Sequence, residues 1–290
     1  MDSAARAQRE PQSKQLLRAC PAVFNFYGSK LVTRSLKAMA VKHCLHFVQV
    51  GPGREGKVSD PIRCQAFAHV QIRRATDTAD FRAAAFLRAA SFYKYSPDRS
   101  QYAARIHQRM KGDAEWAAIE AKVSGKDTDY KDLAVSCYIA TVDSDESGPS
   151  TTADAGYLEP STRLPAHNSA RSQQVVGTLD LNQGLKLPSE ELIGHLPKQC
   201  SRVQRAYLSN VCTAKAIQRQ GVAAKIIQVA TEDAIKQGVE RLYVHVAHDN
   251  HAAMHLYCNR CGFHQEQIES EGYARALSRS RRYLLCQQLI

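Results

Sequence analysis

With 290 residues and 44% apolar side chains, the chain has the material for one or two globular domains whose core needs no disulfide staples. Its net charge of +11 is unevenly spread: residues 1–50 hold eight Lys and Arg against two Asp and Glu, so that segment supplies +6 and the rest +5. Nine scattered cysteines, an odd number without a secretory signal, argue for reduced thiols, and the most apolar run, Ala83–Leu87, is interrupted by Arg82 and Arg88 and is no transmembrane span. The N-terminal stretch 1–60 is acid-poor, contains Arg and Ser and lacks a long apolar run, which fits an organellar transit peptide better than a secretory signal. Leu31–Val41 would carry the cleavage region or lie near it. A disordered basic tail of a cytosolic protein is the alternative.

A globular domain is expected over residues 65–290. Phe67–Arg74 alternates like a first strand, and Asp77 or Thr78 can cap a helix running to about Ala89. A second helix is expected over Gln101–Lys122, which is rich in helix-favouring Ala, Arg, Glu and Met. Leu133–Val142 and Val175–Leu181 read as the second and third strands. Between them, 143–174 is rich in Ser, Thr, Pro, Gly and Asp, which predicts a disordered insertion. The connection Asn182–Arg205 carries Pro188 and Pro197 and leads to Tyr207–Thr213, a strand that feeds the turn Gln218-Arg219-Gln220-Gly221. Beyond that turn, Val222, Ile226, Ile227, Ala230, Ala234 and Ile235 recur at helical spacing until Gly238 stops the helix. A helix that opens on a glycine presents unpaired N–H groups and a partial positive charge, and lets a phosphate come close to the main chain. Arg241–Ala247 alternates as a strand, with Leu242, Val244 and Val246 on one face and Tyr243, His245 and Ala247 on the other. It leads into Asn250-His251-Ala252-Ala253-Met254-His255-Leu256-Tyr257 and then Gly262-Phe263. Tyr283–Leu289 reads as the last strand.

The ordered pair Gln218-x-x-Gly221-x-Ala223, followed about thirty residues later by Asn250-x-x-Ala253-x-x-Leu256-Tyr257-x-x-x-x-Gly262-Phe263, resembles the GNAT N-acetyltransferases. The phrase Arg205-Ala206-Tyr207-Leu208-Ser209-Asn210-Val211-Cys212 further resembles the plastid branch of that family in plants and algae. The resemblance implies an α/β (α+β) GNAT fold, with a mixed, mostly antiparallel sheet of about seven strands flanked by about four helices. It also implies acetyl-CoA as co-substrate, protein or peptide amines as acceptors and a plastid stroma location, with cytoplasm as the alternative. By the same resemblance, the main chain of Val211, Cys212 and Thr213 would pair with the pantetheine arm. The amides of Arg219, Gln220, Gly221, Val222, Ala223 and Ala224 would hold the diphosphate, and Asn250 would bind the pantetheine or ribose region; Asn250 as a plain N-cap is the other reading, and both can hold.

Tyr257 lies seven residues beyond Asn250, two α-helical turns, so the two are expected on one face. A phenol in that position can protonate a departing thiolate. His245 stands where relatives can carry a carboxylate that accepts the amine proton, and a neutral imidazole is expected to take that role directly or through water, or else to be structural. Cys212 and Cys258 occupy motif slots that others fill with non-nucleophiles, which favours a direct ternary-complex mechanism over an acetyl-cysteine. His255-x-x-Cys258-x-x-Cys261-x-x-His264 spells four ligand types at spacing three, but one continuous helix does not converge four tetrahedral ligands, and no metal is expected. Arg279-Ser280-Arg281-Arg282 precedes the last strand and reads as its solvated entrance, so neither nucleic acid nor membrane is an expected partner. The alternatives in other classes are a small-amine acetyltransferase acting on a polyamine or aminoglycoside-like compound, and a non-enzymatic acyl-CoA- or zinc-binding module.

Overall fold

The computed structural model describes residues 70–143, 160–165, 172–184, 187 and 204–289. All of these belong to the unit Cys44–Ile290; the unit Met1–His43, and all of the stretch 1–60 read as a transit peptide, lie outside the described residues.

Eight strands form one sheet: β1 Gln71–Arg74, β2 Ala134–Asp143, β3 Arg163–Leu164, β4 Gln173–Gln183, β5 Arg205–Thr213, β6 Arg241–Ala247, β7 His264–Ile268 and β8 Arg282–Gln288. Their order is β1-β2-β4-β5-β6-β8-β7, with β3 attached to β4. Every pairing is antiparallel except β5 with β6. This is the expected mixed sheet with one strand added. That strand lies inside 143–174, the segment read as a disordered insertion. Within it Asp143 ends β2, Pro160–Thr162 forms a 3-10 turn, and Arg163 and Leu164 pair with Gln174 and Gln173. Gln174 donates from Nε2 to Thr162 Oγ1 at 3.0 Å, and Leu164 is buried. A polar composition conceals such a hairpin because its polar groups satisfy one another. Residues 144–159 and 166–171 lie outside the described residues.

Helix α1, Thr78–Phe92, starts on the Asp77 cap, whose Oδ1 accepts from Asp80 N at 2.8 Å. It buries Phe81, Ala84, Ala85 and Leu87 and reaches the sheet over β4 and β5. Helix α2, Gln101–Val123, packs on α1 at Gly112, where an added Cβ would stand 2.9 Å from the Phe86 ring, so only glycine allows this approach. Helix α3, Val222–Lys236, covers the opposite face of the sheet with Val222, Ile226, Ile227, Ala230 and Ala234 of the expected stripe, whereas Ile235, its last member, points outward and is exposed. Burying each Val or Ile there contributes about 1.5–3 kcal/mol, which anchors the helix that opens at Gly221. Two shorter helices follow, α4 His251–Met254 and α5 Glu271–Ala276. Sequence periodicity did not mark β7 or α5, which are only five and six residues long.

Candidate active site

Strands β5 and β6 pair in parallel only through Arg205↔Arg241, Ala206↔Leu242 and Tyr207↔Tyr243. Beyond Tyr207 the two strands part, while β5 stays paired with β4 as far as Thr213. Among the described residues no strand lines the other edge of Leu208–Thr213. That edge offers main-chain donors and acceptors to an extended guest, the geometry in which a ligand adds itself to a sheet. Val211, Cys212 and Thr213, the residues expected along a pantetheine arm, lie there.

The chain leaves β5 through the 3-10 turn Lys215–Ile217 and enters α3 at Gly221. Arg219 has φ 68° and Gly221 φ 82°. Two left-handed residues so close together reverse the chain just ahead of α3, and the unpaired amides of a helix N-terminus that opens on such a turn are suited to an anion. Among the described residues, a Cβ built on Gly221 would meet nothing within 4 Å, so they leave the space beside it open. Arg219 and Gln220 are exposed and Ala223 and Ala224 half-buried, while Val222 points into the core and contributes main chain only. These residues fit a diphosphate. An apolar helix start with a side chain closing the turn would not.

Asn250 caps α4: its Oδ1 accepts from Ala253 N at 3.0 Å. The helix keeps α-geometry for only four residues and continues as a π-helical stretch, His255–Arg260. The wide turn is closed by Cys261 N donating to Leu256 O at 3.1 Å. Seven residues in such a helix are not two turns of 3.6, so the expectation that Asn250 and Tyr257 share a face does not hold. Tyr257 faces inward, as Ala253 does. It is 2% exposed and meets Phe263 edge-on with ring centroids 5.5 Å apart. Burial, with Cys261 and Tyr207 adding to it, raises the phenol well above its ordinary 10, so Tyr257 keeps its proton.

On the β6 side, His245 Nδ1 lies 3.0 Å from Tyr207 Oη. The His245 side chain is half-buried, but Nε2 is shut off from solvent and has no hydrogen-bond partner among the described residues. Burial, and behind it the charges of Arg282 and Arg279, push the imidazole down to about 3. A ring that gains a proton only near pH 3 takes none from an ammonium at neutral pH, which counts against the proton-acceptor reading of His245. Its Nδ1 is instead a neutral hydrogen-bond partner of the Tyr207 hydroxyl. The shift has a stability consequence. A depressed histidine pKa means that the unfolded chain binds the proton more readily, so stability is full above about pH 6.5 and falls as pH drops toward 3. From pH 7.5 to pH 5 this site should cost about 2 kcal/mol. Urea titrations of wild type and His245→Gln at both pH values should show that much less acid-side loss in the variant; equal losses would mean that His245 titrates normally.

A group that sequence reasoning missed lies under the opposite side of β5. Arg88 on α1 is fully buried and grips Asp180 on β4, Nη1 to Oδ2 at 3.0 Å and Nη2 to Oδ1 at 2.5 Å. The same guanidinium reaches Thr178 Oγ1 at 3.1 Å and Glu115 Oε1 at 3.2 Å. Burial would push the Asp180 carboxyl up, but the Arg88 and Lys122 charges and the hydrogen bonds from Arg88 and Asn210 hold it below the usual range. The available signal was Thr178-x-Asp180-x-Asn182, three polar residues alternating with Leu in a strand that turns out to be central.

Burial pushes the Cys212 thiol up to about 12, which deprives it of the thiolate a nucleophile needs, and Cys258 is raised by its partial burial. Among the described residues no three His, Cys, Asp or Glu side chains gather as a metal site, so His255, Cys258, Cys261 and His264 do not converge. The basic run near β8, expected as a solvated strand entrance, is only partly so: Ser280 is exposed, but Arg279 pairs with the buried Glu269 at 2.5 Å, Arg281 Nε donates to Glu269 O at 2.9 Å, and Arg282 is itself buried. No described helix is long and apolar enough to cross a membrane.

Comparison with known proteins follows the same outline. Residues 134–263 match the acetyltransferase (GNAT) family. The chain is 36% identical over 204 residues to GCN5-related N-acetyltransferase 7, chloroplastic, of Arabidopsis thaliana, with 70% of each chain covered. It is 40% identical over 101 residues to GCN5-related N-acetyltransferase 6, chloroplastic, of the same plant, covering 31% of this chain and 34% of that one. Among solved structures, Arabidopsis thaliana NAA60 in complex with acetyl-CoA aligns with a TM-score of 0.45 and 14% identity, covering 76% of this chain and 99% of that one. The family match runs from the start of β2 to Phe263 and thus takes in the parted strands, the Gly221 turn and the Tyr257 helix, and the identity to the first relative extends over more than two thirds of the chain: the protein belongs to the GNAT family of acetyl-CoA-dependent N-acetyltransferases.

Proposed function

We propose that the enzyme acetylates protein amines, both lysine side chains and N-terminal α-amines, by direct attack within a ternary complex. The observation that carries this is the β5 edge that parts from β6 beyond Tyr207 and runs on into the left-handed turn at Gly221; the buried Tyr257, which keeps its proton, supports the reading. Acetyl-CoA brings the activated acetyl group. Val211–Thr213 align its pantetheine arm, the amides from Arg219 to Ala224 hold its diphosphate, and Asn250 adds a contact beyond its capping bond. The amine nitrogen bonds to the thioester carbonyl carbon, the C–S bond breaks, the thiolate takes the Tyr257 proton, and the proton that the nitrogen sheds on becoming an amide passes through water to restore the Tyr257 phenol. The phenol is raised by burial, yet a thiolate formed in the same buried site is raised as well, so the transfer stays matched. With His245 held neutral, the ammonium loses its proton to water before attack.

Protein acceptors are supported by the resemblance of Arg205–Cys212 to the plastid branch, and a plastid location by the chloroplastic names of both relatives together with the basic, acid-poor residues 1–50. A fluorescent reporter fused behind residues 1–60 that stays in the cytosol would remove the plastid assignment. The acceptor reading is tested on one peptide with a free N-terminus and a single lysine. At pH 8 about 60% of an α-amine but only about 0.4% of a lysine is unprotonated, a ratio of about 150 that shrinks to about 3.5 at pH 10. Without a side-chain base the ratio of the two products should follow that decline, and His245→Ala should slow both products equally. A steeper loss of lysine acetylation in His245→Ala would restore His245 as the base, and a peptide left unmodified beside an acetylated polyamine would redirect the enzyme to small amines.

A further inference from the structure

Strand β5 carries one residue too many for its partner. Thr178 faces Cys212 and Asp180 faces Ser209, so Leu179 alone stands opposite both Asn210 and Val211. This is a β-bulge, and Asn210 adopts φ 55° to make it. The bulge resets the alternation of the strand: it is Cys212, beside Ser91, that turns toward α1, and Val211 and Thr213 that turn away. It therefore determines which main-chain groups of Val211–Thr213 face the opening between β5 and β6.

A glycine would make that backbone more cheaply, and asparagine brings a side chain that is used. Asn210 Nδ2 donates to Asp180 Oδ2 at 2.8 Å. Asp180 is held in turn by the two Nη atoms of Arg88, which also donates to Thr178. One guanidinium from α1 thus ties down both β4 residues that flank the register jump, and through Asp180 the bulged residue itself. Thr178 and Asp180 are at most 1% exposed and Asn210 only 6%. One strand turn earlier Asn182 Nδ2 donates to Tyr207 O at 3.0 Å and Ser209 Oγ at 2.9 Å, fixing the start of the same segment. A buried ion pair is an expensive way to gain stability, since apolar side chains of similar volume serve at least as well, so its placement at the bulge calls for a reason in the strand it holds.

We infer that Arg88, Asp180 and Asn210 form a positioning set that locks the β5 bulge and thereby presets the main-chain row that receives the pantetheine arm of acetyl-CoA. The inference rests on the coenzyme site proposed above. A guest that binds by pairing with a strand edge gains affinity when that edge is already ordered, because less conformational freedom is lost on binding.

The test is Asn210→Gly, which keeps the left-handed backbone accessible and removes only the tether. Titration calorimetry should show acetyl-CoA affinity weakened about tenfold, with the acceptor KM unchanged and the melting temperature within a few degrees of wild type. A purely structural role would lower the melting temperature and leave affinity alone, and that result overturns the inference. Should Asn210→Gly fail to fold, the isosteric Thr178→Val decides: it removes the hydroxyl that accepts from Arg88 and lies 3.7 Å from Cys137 Sγ, and changes no residue of β5; a smaller weakening at a preserved melting temperature supports the inference, whereas unchanged affinity overturns it. Gly221→Glu run alongside separates the two proposals. If it too binds acetyl-CoA like wild type, the diphosphate site is misplaced; if it alone loses binding, the site stands and the positioning set falls.

Discussion

Gly221→Glu is expected to abolish measurable acetyl-CoA binding while leaving the fold in place. At φ 82° any L-residue is strained, at a cost of about 1–2 kcal/mol, but a Cβ there would meet nothing within 4 Å among the described residues. The new carboxylate would stand where the diphosphate is expected. Two like charges about 4 Å apart near a protein surface repel by about 4 kcal/mol, close to a thousandfold in affinity, before the lost amide contacts are counted. Gly221→Ala separates the effects, since it carries the same backbone strain without bulk or charge and should bind only modestly worse. Calorimetric titration with acetyl-CoA checks both variants. An unchanged dissociation constant for Gly221→Glu would remove the phosphate-binding role of this turn.

Tyr257→Phe should lower turnover by roughly 10²-fold with acetyl-CoA affinity retained, because it deletes the hydroxyl and keeps the ring that packs on Phe263. The pattern to look for is kcat falling with no rise in the KM for acetyl-CoA. Since burial lifts the phenol above 10, its ionisation should leave no mark on the wild-type rate profile below that pH. A variant that keeps full rate on peptide substrates would hand the acid role to water or to another group.

The elements that carry the site were legible because each is local. The α3 stripe from Val222 to Ala234, the alternation of Arg241–Ala247 and the Gly221 turn depend on spacings of two to four residues, and the structure reproduces them. The ordered motif pair placed Tyr257 and the turn in one family before any packing was known. What stayed hidden depends on partners far away in the chain. Thr178, Asp180 and Asn182 alternate with Leu as a half-exposed strand would, and only the arrival of α1, which brings Arg88 from 92 residues away, makes that polar face an interior one. The bulge at Asn210 is a property of two strands in register, invisible in either alone. The π-helical stretch likewise broke the 3.6-residue count from Asn250 to Tyr257, and the short hairpin at Arg163–Leu164 formed inside a segment whose composition argued against it. Periodicity thus determined most of the segments that become helix or strand and the turn at which a helix opens on a glycine. Register, the cover over β4 and the neutrality of His245 were decided by tertiary packing, because desolvation and charge pairing act only once distant residues are brought into contact.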